Sequence, residues 1–99
     1  MMGTVDIDDT VVTGKVLAIL GELHAHPQDP APQIWDNGPH RLYEWCVLCR
    51  DDMPLREQDV RAYLSIVNVV GRAKPGLYEI KSYGTHRPNL TSYYLRVYI

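Results

Sequence analysis

The last third of this chain alternates apolar and polar residues with a period of two, and that rhythm restricts it to paired strands. Leu77-Tyr78-Glu79-Ile80-Lys81-Ser82-Tyr83 is one run, and Leu90 to Ile99 is the next. In the second run Tyr93, Leu95, Val97 and Ile99 share one face, while Tyr94, Arg96 and Tyr98 share the other. The first set is the expected core face. Gly84-Thr85-His86-Arg87-Pro88-Asn89 supplies the turn residues of the loop between the runs.

Charge is divided along the chain. From Gly71 onward five basic residues (Arg72, Lys74, Lys81, Arg87, Arg96) stand against one acid, Glu79, for a net of +4. The first 70 residues hold five basic residues and eleven acids, a net of −6. A domain split this way has a sided surface, and sided surfaces meet charged partners. Five of the seven tyrosines also lie in the basic segment.

At 99 residues the chain reads as a single domain with a small core. No apolar run approaches the roughly 18 residues of a membrane span. Residues 1–9 form an acidic lead-in without the basic-then-apolar pattern of a secretion signal. Two cysteines placed close together make a poor disulfide framework, which fits a reducing cytoplasm.

Thr10 or Thr13 can cap a helix running to about Ala25, with Val12, Val16, Ile19, Leu20 and Leu23 on one face and Pro27 ending it. Residues 27–39 hold four prolines and the Asp36-Asn37-Gly38 turn signal, around an apolar island at Gln33-Ile34-Trp35. His40 to Arg50 fits either strand or helix. Leu42, Trp45, Cys46 and Cys49 fall at i, i+3, i+4 and i+7, so helix is the better fit. Asp52 and Pro54 suit the start of a further helix, Leu55 to Val69, with Val60, Tyr63, Leu64 and Val67 inward and Gly71 as its stop. No internal repeat stands out. The expected core is Val12, Val16, Leu20, Leu42, Trp45, Val60, Leu64, Leu95 and Val97.

The order helix, Ile34-Trp35 island, helix, short turn, helix, hairpin resembles the winged helix-turn-helix superfamily. The likeness is carried mostly by Pro54-Leu55-Arg56-Glu57-Gln58-Asp59-Val60-Arg61-Ala62-Tyr63-Leu64 and by Lys74-Pro75-Gly76-Leu77-Tyr78-Glu79-Ile80. It implies an α+β, winged-helix-like domain of about three helices and a C-terminal β-hairpin. Residues 42–50 and 55–69 would be the paired helices and residues 84–89 the wing tip. In such families the second helix of the pair enters the major groove while the wing braces the backbone. Arg56, Gln58 and Arg61 would then read bases, although Glu57 and Asp59 would meet phosphate unfavourably.

The hairpin is the stronger candidate surface. Arg72, Lys74, Lys81, His86, Arg87 and Arg96 supply cations, and Tyr94 and Tyr98 supply flat rings beside them. Cations next to stacking rings suit single strands and phosphate backbones, and the expected nucleic-acid partner is DNA. They also suit protein interfaces, where tyrosine and arginine concentrate binding energy. Two functions follow: a small regulatory DNA-binding domain, or an adaptor, regulator or inhibitor whose acidic side mimics a polyanion. A homodimer through a free edge at Leu90–Ile99 is a third possibility.

Cys46-Val47-Leu48-Cys49 has the spacing of half a zinc site, but no second pair stands at finger spacing. With Trp45 it also looks like the thioredoxin pentad, yet a proline-rich stretch replaces the strand that should lead into it. On a helix both thiols would join the apolar face. No nucleophile stands beside a base, so the chain reads as non-enzymatic, with no cofactor and no metal.

Overall fold

The computed structural model describes residues 8–38, 40–66 and 76–99. Within them the chain forms α1 (Asp9–Glu22), β1 (His26–Pro27), β2 (Gln33–Asn37), β3 (His40–Arg50), α2 (Glu57–Ile66), β4 (Gly76–Arg87) and β5 (Leu90–Tyr98). All strand pairs are antiparallel. The sheet order is β1-β3-β5-β4, with β2 joining β3 beside β1.

His40–Arg50 is therefore a strand, not a helix, and it corrects the expected architecture. The described residues form two helices on a five-stranded sheet, α+β but with more strand than helix. They do not form the winged-helix-like set of three helices and one hairpin. The segment misled because β3 is apolar on both phases. Tyr43, Trp45, Val47 and Cys49 are buried on one face, while Leu42, Cys46 and Leu48 are half-buried on the other. Drawing from both faces produces a helical spacing by accident, and periodicity cannot tell such a strand from a helix.

The reversals are local and legible. Asn37 pairs with His40, with Gly38 at φ 63° between them, a conformation glycine adopts without steric cost. Arg87 pairs with Leu90, with Asn89 at φ 68°. The C-terminal ladder thus runs to Arg87, and only Pro88 and Asn89 remain of the six-residue wing tip.

Helix α1 starts at Asp9 because the Asp8 carboxylate accepts from the amides of Thr10 (2.9 Å) and Val11 (3.4 Å). The cap is Asp8, not Thr10 or Thr13. The helix ends before Pro27 is reached, where His24 turns left-handed at φ 56°. Helix α2 begins at Glu57, with the Arg56 carbonyl accepting from Asp59 and Val60. Asp52 does not cap it and instead pairs with Arg50 at 2.7 Å. Val67 and Gly71 lie outside the described residues.

Both helices lie on one face of the sheet. Val12, Val16, Ile19 and Leu20 of α1 and Val60 and Leu64 of α2 are buried with Tyr43, Trp45, Val47, Cys49, Leu95 and Val97. Eight of the nine expected core residues are there. The ninth, Leu42, sits half-buried on the opposite face. Strand β5 is interior, paired with β3 on one side and β4 on the other, so it offers no free edge for the expected dimer.

The fold also exposes a repeat that simple inspection of the sequence misses. Helix and hairpin, α1-β2-β3, are followed by helix and hairpin, α2-β4-β5. The central ladder is symmetric about Cys46 opposite Tyr94. The chain advances equally from Asp9 to Glu57 at the two helix starts and from Cys46 to Tyr94 at that centre. The same step carries Val12 to Val60, Val16 to Leu64, Trp45 to Tyr93, Val47 to Leu95 and Cys49 to Val97, so part of the core falls on equivalent positions, although Tyr43 falls on Thr91. It also aligns His24-Ala25-His26-Pro27 with Arg72-Ala73-Lys74-Pro75 in the sequence.

Leu95 lies at the centre of the buried face and Leu42 on the other. Leu95→Ala is expected to cost about 2–5 kcal/mol in denaturant unfolding, and Leu42→Ala less than half as much. Equal losses would overturn this assignment of faces.

Candidate functional site on the open face of the sheet

The face of the sheet turned away from the helices has no layer over it among the described residues. Its residues follow from strand register, since directly opposed positions share a face. Trp35 stands beside Leu42, and Leu42 beside Tyr98. Gln33, Glu44 and Arg96 form the next row, and Cys46, Tyr94 and Lys81 the one after. His26 and Leu48 complete the surface, and Ser92, on the same side of β5, is fully buried.

At its centre Arg96 Nε donates to Glu44 Oε2 at 2.6 Å. The Glu44 side chain is only 10% exposed and that of Arg96 34%, so the carboxylate is largely removed from water and matched by its partner. The Arg96 guanidinium also lies 5.6 Å from the centre of the Tyr94 ring, within cation–π range. Lys81 is exposed next to Tyr94, and Tyr98 is half-buried beside Leu42. Trp35 is 44% exposed.

The surface thus collects Lys81, Tyr94, Arg96 and Tyr98 from the expected set. Arg56, Gln58 and Arg61 are exposed on the helix layer, on the other side of the sheet. Arg61 is held by Glu57 at 2.8 Å, one turn earlier. His86 and Arg87 belong to β4, and their side chains lie outside what is described. Arg72 and Lys74 lie outside the described residues. Trp35, Leu42, Glu44 and Cys46 were not expected here. The Ile34-Trp35 island was a visible signal, but only the pairing of β2 with β3 gives it neighbours.

The two cysteines are separated by the sheet itself. Three positions apart on a strand, they point to opposite faces, Cys49 buried and Cys46 half-buried. They form neither a dithiol pair nor a shared metal site. Among the described residues no group of three or more His, Cys, Asp or Glu side chains is placed to hold a metal.

A polar clamp fixes α1 to this sheet. Tyr43 Oη donates to Asp9 Oδ1 at 2.5 Å, and Arg41 bridges Asp9 (2.9 Å) and Asp36 of β2 (3.1 Å). The Tyr43 hydrogen bond, with Arg41 behind it, holds the Asp9 carboxyl below its usual range despite partial burial. Burial, reinforced by Asp9, lifts the Tyr43 phenol well above its own range. Burial also raises the Cys49 thiol from 9.0 to about 11.

Comparison with known proteins finds no family, no curated protein and no solved structure that matches this chain.

Two outcomes follow. Cys46 should react with a thiol reagent in the folded protein, while Cys49 reacts only at the rate of unfolding. Between pH 9 and about 11 the unfolded chain releases the Cys49 proton and the folded chain keeps it. Stability should therefore fall by up to about 2 kcal/mol as pH rises through that window. Chemical denaturation of Cys49→Ala across the same window should show a shallower decline; an identical one would refute the assignment.

Proposed function

We propose that this is a non-enzymatic binding domain that engages a protein partner through the open face of its sheet. The observation that carries this reading is the cluster at the centre of that face. Trp35, Tyr94, Tyr98 and Arg96 are the residue types that concentrate energy at protein interfaces, and the three rings share a face with the ion pair of Arg96 and Glu44. A polyanion would meet Arg96 already engaged by Glu44. A protein surface would find aromatic area, half-buried leucines and one satisfied polar pair. The free thiols suit a reducing compartment such as the cytoplasm.

A second reading, binding of single-stranded nucleic acid, draws support from Lys81 beside Tyr94 and from Arg96 over the same ring. Rings and cations on an antiparallel sheet can stack bases and meet phosphates. Groove reading by α2 has less support, because Glu57 and Asp59 occupy its first turn.

Salt separates the two. A labelled single strand that binds at micromolar concentration or tighter at low salt, and is lost at moderate salt, would favour nucleic acid. Affinity capture from cells that make the protein should instead recover a partner whose binding drops at least about tenfold with Tyr98→Ala or Tyr94→Ala. Unchanged capture by both variants would remove the open face from consideration.

A further inference from the structure

Of the outer strands of the sheet, β2 and β4 are not guarded alike. Strand β4 carries three register shifts against β5, between Leu77 and Glu79, Ser82 and Gly84, and Gly84 and Arg87. Such irregularities twist an edge away from intermolecular pairing. Strand β2, its counterpart in the repeat, has none. It pairs with β3 in continuous register from Gln33 opposite Glu44 to Asn37 opposite His40, and it contains no proline. Among the described residues, no strand pairs with its outer edge.

Exposure along β2 is also unusual for apolar residues. Ile34 is 39% exposed and Trp35 44%, and they point to opposite faces of the same strand. An added strand would cover both at once. Charge defines the ends. At the Asn37 end two carboxylates, Asp9 and Asp36, share the single guanidinium of Arg41, which leaves one negative charge in excess. The Asp36 side chain is 79% exposed. At the Gln33 end a cleft of about 170 Å³ opens where β1 and β2 part along β3, with Gln28, Asp29, Gln33 and Glu44 among its walls. Glu44 is matched by Arg96, so Asp29 sets the charge of this cleft.

We propose that the outer edge of β2 takes an extended peptide as an added strand, with apolar residues against Ile34 and Trp35 and basic residues at both ends. Main-chain hydrogen bonds supply the pairing, and alternate side chains supply the choice of partner. One lysine or arginine of the peptide meets the Asp36 end, and another enters the cleft beside Asp29. This rests on the part of the reading above that the partner is a protein, and places the contact on the β2 edge in place of the open face.

The probe is a nine-residue peptide alternating valine with lysine, added to the full chain. Trp35 emission and amide exchange at residues 33–37 are followed together, with Trp35→Phe identifying the emitting indole. Binding should slow exchange on β2 and shift the Trp35 signal. A glutamate-for-lysine peptide should bind at least about tenfold more weakly, and a central proline should abolish binding by removing a ladder donor. Asp29→Asn keeps the acceptor for the Ala31 amide and should weaken binding several-fold.

No saturable binding at millimolar peptide overturns the proposal. Protection that appears around Tyr94 and Tyr98 instead overturns it while leaving the open-face reading intact. A dimer seen by light scattering and broken by Trp35→Lys would also overturn it, because the occupant would then be a second copy. Slowed exchange on β2 together with capture unaffected by the Tyr94 and Tyr98 variants would support this edge and sink the open face.

Discussion

The structure depends on the pairing of β3 with β5, which runs unbroken from Leu42 opposite Tyr98 to Arg50 opposite Leu90. That ladder joins segments about half the chain apart, so its closure entropy must be met by what it buries. It does so through Tyr43, Trp45, Val47 and Cys49 beside Leu95 and Val97, roofed by both helices. The Tyr43 and Trp45 rings lie 6.1 Å apart and nearly parallel on this face. Fixing that face inward fixes the other outward, since a strand has only two. Every feature assigned to the open face is a consequence of this one register.

The same ladder is the axis of the internal repeat. Two helix–hairpin units meet through their last strands, which become the central pair, and their first strands become the edges. Several equivalent core positions are apolar in both halves but differ in shape, as in Val16 and Leu64 or Cys49 and Val97, and a core tolerates such differences when volume is roughly kept. The edges differ: β4 carries register shifts, and β2 is in continuous register with two exposed apolar side chains. The halves therefore differ most clearly at their edge strands.

The ionic interactions divide into those that position elements and those that decorate the surface. Asp9, Arg41, Tyr43 and Asp36 tie the start of α1 to β2 and β3, with one member fully buried, so they orient the helix over the sheet. Arg50 with Asp52 and Arg61 with Glu57 are exposed pairs of the kind that contribute little. Glu44 with Arg96 lies between these cases. It costs desolvation and is satisfied by a charge-assisted hydrogen bond.

The sequence alone determined the two helices' inner faces, the C-terminal hairpin and the separation of Tyr94, Arg96 and Tyr98 from Leu95 and Val97, because each follows from periodicity within one element. It also marked both chain reversals through Asn37-Gly38 and Pro88-Asn89. It could not decide between helix and strand for residues 40–50, since a central strand covered on one face and half-covered on the other is apolar on both phases. Only the tertiary structure decided that. Once β3 lay between β2 and β5, Cys46 and Cys49 parted, Glu44 met Arg96, and Trp35 joined Tyr98 across Leu42. Those contacts connect residues far apart in the chain, and no local pattern encodes which strand will lie beside which.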